Sequence, residues 1–136
     1  MTLFAWDATK FDVGVPRMNH QHKGLVDIMN AIHDQNAARA PRSQLKALLL
    51  KLATATRAHF AEEETFMQSL AFPDFRTHKA IHEQLLSEFG RHVEAFDKGD
   101  GTVGKPFFDF LSFWLRAHIC HVDTKYGRLA VEKRAV

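Results

Sequence analysis

With one cysteine, Cys120, the chain cannot form an intrachain disulfide, and it fits a reducing compartment such as the cytoplasm. The N-terminal MTLFAWDATKFD lacks a basic region leading into a long apolar run, so no signal peptide is expected. The longest aromatic-rich run, PFFDFLSFWL at 106–115, is too short to span a bilayer and carries Asp109, so no membrane insertion is expected. Basic residues are scattered and the formal net charge is only +2, which argues against a nucleic-acid surface. No stretch alternates polar and apolar residues with period two. There is no internal repeat and no low-complexity segment. What remains is a single helical domain over residues 1–136, long enough to build its own core.

What the chain does have is histidine and phenylalanine, nine and twelve of them. The stretch His59 to His82, HFAEEETFMQSLAFPDFRTHKAIH, holds two pairs at a spacing of four: His59 with Glu63, and His78 with His82. On a helix such pairs share a face, about 5–6 Å apart, which suits gripping an ion. Phe72-Pro73-Asp74 lies between them. The proline ends one helix and the aspartate can cap the next. Helices joined by so short a turn fold back antiparallel, which brings both pairs to one level.

In chain order, residues 1–18 read as an extended arm punctuated by Gly14 and Pro16, with Phe4, Trp6 and Phe11 packing on the domain. A first helix is expected from an Asn19 cap to Ala38–Ala40, before Pro41, with Met18, His22, Leu25, Met29 and Ile32 on its inner face. A second starts near Ser43, with Leu45, Leu48, Leu52, Ala55, His59, Phe66 and Leu70 inward. Within Glu62-Glu63-Glu64 only Glu63 lies directly above His59; Glu62 and Glu64 read as a solvated acidic face. A third helix runs from about Asp74 to Asp97, with Phe75, His78, His82, Leu85, Phe89, Val93 and Phe96 inward. After a glycine-bearing loop a fourth begins at Pro106, facing inward with Phe107, Leu111, Trp114, His118 and Val122. The basic tail from Gly127 reads as a frayed helix end or a solvated tail. Four amphipathic helices with short connections predict an all-α, antiparallel up-down-up-down four-helix bundle.

In that bundle early helix 1, late helix 2, early helix 3 and late helix 4 share one end. His22, His59, Glu63, His78, His82, His118 and Asp123 therefore converge in one layer, where unpaired burial would cost several kcal/mol. Seven side-chain ligands exceed one tetrahedral zinc and suit two transition ions. Imidazole with carboxylate favours iron, with manganese less suited to so many nitrogens. The carboxylate-rich Glu-x-x-His pattern of oxygen-activating bundles is absent, as is the zinc-protease HExxH. His118 and Asp123 are five apart, roughly 140° on a regular helix, so a π-bulge is expected between them. His121 is the rival ligand in that segment. His33 sits about 16 Å along the helix from His22, too far to share its ions. His20 points away, and His92 lies too far along helix 3.

Four elements carry a family resemblance: Gln21-His22-Lys23; His59-Phe60 with Glu63 and Met67; His78-Lys79-Ala80-Ile81-His82; and Trp114-Leu115-Arg116-Ala117-His118-Ile119 with Asp123 and Tyr126. Together they resemble the hemerythrin family, and within it the stand-alone bacteriohemerythrins, over Trp6 to Tyr126. The resemblance implies reversible dioxygen binding at a non-haem di-iron centre. It places His78, His82 and His118 on one iron, and His22 and His59 on the other, which keeps the open position. It makes Glu63 and Asp123 bridges, alongside a solvent-derived oxo or hydroxo bridge. Leu25, Trp114, Leu115 and Ile119 fall where the family has its apolar oxygen pocket, which would exclude water. Asn19 departs from the aspartate relatives carry before the Gln-His pair; it lies outside the ligand set. Cys120 reads as a small packing residue. The expected role is a non-enzymatic one: oxygen carriage, storage, sensing, or delivery to an oxygen-using partner protein. The alternatives are a di-iron enzyme that scavenges peroxide or nitric oxide, and an iron-handling protein.

Overall fold

A computed structural model describes residues 4–6, 9 and 11–135, the side chains of residues 120–122, 134 and 135 excepted. Its elements are α1 (Pro16–Ala37), α2 (Arg42–Ser69), α3 (Phe75–Lys98), α4 (Lys105–Phe113), a π-helical segment (Trp114–Val122) and α5 (Asp123–Ala135). The last three run on as one rod, so the bundle has four arms and, among the described residues, no strand. Neighbouring arms are antiparallel. Asn36, late in α1, exchanges two hydrogen bonds with the backbone of Val103 just before α4. Arg42, early in α2, donates to the carbonyls of Asp97 and Gly99 at the end of α3. No helix among the described residues is long and apolar enough to cross a membrane.

Of the expected caps Asn19, Ser43 and Asp74, only Asp74 stands at the N-cap position, before Phe75; Val15 and Pro41 hold that position in α1 and α2, and no helix of the three has a side-chain capping hydrogen bond. α1 begins three residues before Asn19, at Pro16, whose fixed φ suits a first turn and whose missing N–H needs no partner there. Asn19 instead ties down the arm: its Oδ1 accepts from the Val13 N–H at 2.9 Å, and its Nδ2 donates to Asp12. The helix ends are set by backbone geometry. After α1, Ala40 N–H bonds Gln35 O and Arg39 N–H bonds Asn36 O; after α2, Phe72 N–H bonds Met67 O and Ala71 N–H bonds Gln68 O. Both are Schellman endings, with Arg39 and Ala71 in the left-handed position that usually goes to glycine. Pro41 and Pro73 follow these endings rather than causing them.

The inner face of α2 is rotated from the expected stripe. Leu45, Leu49, Leu52, Ala53, Thr56, His59, Phe60, Glu63 and Met67 are buried, whereas Leu48, Ala55, Phe66 and Leu70 are half-buried. The segment from Gly127, expected as a frayed helix end or a solvated tail, is a helix to Ala135 that is packed rather than frayed: Tyr126, Gly127 and Ala130 are buried. The arm is why. Val13 crosses α5 so closely that a Cβ on Gly127 would overlap the Val13 carbonyl oxygen. Phe4 pairs through its backbone N–H and carbonyl with Asn30, and Trp6 stacks on buried Phe11 at 5.0 Å.

Burial divides the core in two. One apolar cluster holds Leu25, Leu52, Phe60, Leu85, Leu111 and Trp114; the other holds Met18, Met67, Phe72, Leu115, Ile119 and Tyr126 with the arm's Phe11 and Val13. In each arm of the bundle the candidate polar residues fall between members of the two clusters. The polar layer thus lies where the two apolar clusters meet.

Candidate metal centre

His22, His59, Glu63, His78, His82, His118 and Asp123 all lie in that layer, and all are buried. They form two groups that could each hold an ion: His78, His82 and His118, and His22 and His59, with Glu63 and Asp123 belonging to both. Within each group the ligating atoms lie within 4.8 Å of one another. That span matches donors at about 2.0–2.2 Å on opposite sides of one ion.

Asp123 reaches both groups. Its Oδ1 is 2.9 Å from His78 Nε2 and 3.0 Å from His118 Nε2, and its Oδ2 is 3.1 Å from His22 Nε2. Glu63 does the same from α2: Oε1 is 3.3 Å from His59 Nε2 and 3.2 Å from His82 Nε2. Its Oε2 accepts a 2.5 Å hydrogen bond from the Tyr126 hydroxyl. The π-helical segment makes the Asp123 arrangement possible. The Asp123 N–H bonds the His118 carbonyl, an i→i+5 step. That extra residue per turn stacks Asp123 under His118, where a regular helix would turn them apart.

The donor set fits metal ions. Both ring nitrogens of His22, Nε2 of His59 and His78, Oε1 of Glu63 and both oxygens of Asp123 are buried and make no hydrogen bond. His82 Nε2 and His118 Nε2 face each other at 3.2 Å, a meeting of two lone pairs unless a cation or proton lies between. The charges agree. Burial raises Glu63, yet His22, His59 and His82 outweigh it and hold its carboxyl well below the usual range. Burial and the charge of Glu63 raise Asp123, and His118 and His22 bring it below its ordinary value. Burial would lower His22, but Asp123 and Glu63 hold the ring up at about 9. Two fully buried, ionised carboxylates therefore draw positive charge into this layer. Imidazole nitrogens with carboxylate oxygens are the donors of transition ions rather than of calcium or magnesium. Tyr126 keeps its proton: burial and then the charges of Glu63 and Asp123 push the phenol well above its ordinary value.

Of the residues expected to wall an oxygen pocket, all are buried, Leu25 and Trp114 in one apolar cluster and Leu115 and Ile119 in the other. Phe60, not among the expected pocket residues, packs directly on the centre. Its ring stacks on His82 at 3.7 Å and lies 5.9 Å from Trp114. The signal was there, since Phe60 directly follows His59 on the rotated face of α2. Also missed were Gln21, on His59 Nδ1, and Glu64, on His82 Nδ1, the latter read from sequence as a solvated acid. His33 and His92 lie away from the centre, His33 against Phe108 and His92 against Phe107 and Phe110. His20 is exposed. The side chains of Cys120, His121 and Val122 lie outside the described residues.

A four-helix bundle with a buried layer of histidines and two shared carboxylates defines a class: dinuclear metal proteins of the bundle type. Comparison narrows the class. The Hemerythrin HHE cation binding domain family matches residues 13–130. A bacteriohemerythrin of Methylococcus capsulatus is 35% identical over 127 residues, covering 93% of this chain and 96% of that one. A hemerythrin chain of Sipunculus nudus is 32% identical over 126 residues, covering 93% and 92%. The crystal structure of a wild-type hemerythrin superposes with a TM-score of 0.84 at 35% identity, covering 93% of this chain and 97% of that one. The chain belongs to the hemerythrin family.

Proposed function

We propose that this chain binds dioxygen reversibly at a non-haem di-iron centre, in carriage, storage, sensing or delivery to an oxygen-using partner, and that residues 1–136 act as one such unit. The observation that carries the reading is the pair of unequal ligand groups sharing Glu63 and Asp123. His78, His82 and His118 would hold one iron. His22 and His59 would hold the other, which has one imidazole fewer and so keeps a position for an exogenous ligand. When bound, the iron pair supplies that exchangeable position and the electrons that dioxygen binding needs. Tyr126 orients Glu63 through its hydroxyl, and Asp123 spans both groups from α5. Leu25, Phe60, Trp114, Leu115 and Ile119 exclude water from the layer, which favours release of intact dioxygen over loss of a reduced product. The names of the bacterial and sipunculid relatives support the same reading.

The test is an anaerobic titration of the reduced, iron-loaded protein with dioxygen, followed by evacuation. A visible band that appears with oxygen and disappears under vacuum, at two irons per chain, is the expected result. A single zinc without iron, or steady turnover of peroxide or nitric oxide without a reversible band, would sink the proposal and favour the scavenging enzyme.

A further inference from the structure

Two ring nitrogens that face away from the centre end on side chains of different charge. His82 Nδ1 lies 3.0 Å from Glu64 Oε2. His59 Nδ1 lies 2.5 Å from Gln21 Oε1, and Gln21 Nε2 donates in turn to Glu62 Oε2. In both rings Nδ1 meets an oxygen that only accepts, so Nδ1 carries the proton and donates outward, which leaves Nε2, turned toward the centre beside Glu63 Oε1, as the nitrogen for an ion. His82 is therefore backed directly by a carboxylate. His59 is backed by a neutral amide, with a carboxylate one residue further out. The run Glu62-Glu63-Glu64 explains the pattern. Successive residues turn by about 100°, so Glu62 points toward α1, Glu63 into the centre and Glu64 toward α3. Glu64 is only 22% exposed, so water screens it little, whereas Glu62 stands at the surface.

Resting on the reading of this layer as a two-ion centre, we propose that Glu64 and Gln21 are positioning residues that make the two ion positions unequal. A carboxylate that accepts the outward N–H makes the opposite ring nitrogen a stronger donor, and a charged acceptor does so more than a neutral one. Glu64 thereby tightens the hold of the three-histidine group and favours the higher oxidation state there. Gln21 orients His59 without adding charge. The ion beside the position for an exogenous ligand is left electron-poorer and more readily reduced.

Glu64→Gln tests this, because the amide oxygen still accepts the Nδ1–H and only the charge is lost. Gln21→Glu is the reciprocal change. Metal-free protein is titrated with cobalt(II) against a chelator, and the midpoint potentials of the iron-loaded protein are measured. Glu64→Gln should weaken the tighter ion by about 10- to 100-fold and raise the reduction potential. Gln21→Glu should strengthen the weaker ion and lower the potential. Rescue of affinity in Glu64→Asp, with the potential returning toward wild type, would add support. Affinity and potential unchanged in Glu64→Gln, or moved in the same direction by both variants, would overturn the proposal. The cobalt titration reads these bonds whether or not dioxygen binds, so failure here is distinct from failure of the oxygen-binding reading.

Discussion

Replacing Gly127 by alanine should destabilise the protein, although the position is helical and alanine is the better helix former. The structure supplies the reason and the size. A Cβ at Gly127 overlaps the Val13 carbonyl oxygen and comes to 2.7 Å from the carbonyl carbon, and both atoms are backbone that cannot rotate aside. Either the arm lifts from α5 or α5 shifts under it. If the arm lifts, Phe11 and Val13, at 6% and 3% exposure, lose their burial. Each is worth about 1.5–3 kcal/mol, so together about 3–6 kcal/mol. Alanine returns about 1 kcal/mol of helix propensity, which leaves a net loss of about 2–5 kcal/mol. Gly90 is the internal control, because it is helical and a Cβ there would meet no atom within 4 Å. Gly90→Ala should therefore gain about 0.5–1 kcal/mol. Urea unfolding followed by circular dichroism measures both. If the two variants shifted the midpoint the same way, the close packing of the arm on α5 would be refuted.

Other outcomes follow from the same structure. Glu63→Ala should lose at least one metal ion per chain by elemental analysis, since Glu63 contacts histidines of both groups; retention of both ions would remove it as a bridge. Leu25→Ala should keep the metal but shorten the lifetime of the oxygenated band in air, because buried Leu25 lies one helical turn from His22 in the same apolar cluster as Trp114; an unchanged lifetime with full metal content would clear Leu25 of that role. Ala71→Gly should stabilise by about 1 kcal/mol in urea unfolding, by relieving the left-handed residue of the α2 ending, and a loss would show that Ala71 is not strained. In metal-stripped protein, His22 is held above its ordinary 6.5 at about 9, so its contribution is complete below pH 6.5 and lost as pH rises through 9. The urea midpoint of the stripped protein should fall over that window, and a flat profile would refute the pairing of His22 with Asp123 and Glu63.

Periodicity and ligand chemistry are local properties, and they were legible in the sequence. The spacing of four in His59/Glu63 and His78/His82, the apolar stripe of α3 and the up-down order were enough to bring the seven polar residues to one end of a bundle. Even the π-helical segment could be anticipated, because a five-residue separation between His118 and Asp123 cannot face one way on a regular helix. Features that depend on a second segment could not be read this way. Whether Leu48 or Leu49 turns inward on α2 depends on what α1 and α3 present, because both fit a helical stripe. Asn19 was a sound cap by type, but Pro16 had already started the helix, and the arm took up its side chain. Gly127 read as part of a frayed helix end or a solvated tail because nothing nearby in sequence reveals that Val13 crosses it. Glu64 and Gln21 resemble any surface polar residues until the turn of α2 and the approach of α1 set one against His82 and the other against His59. The chain encodes which groups can meet through spacing along one helix. Which outward-facing groups do meet depends on the distance and rotation between helices, and only packing determines those.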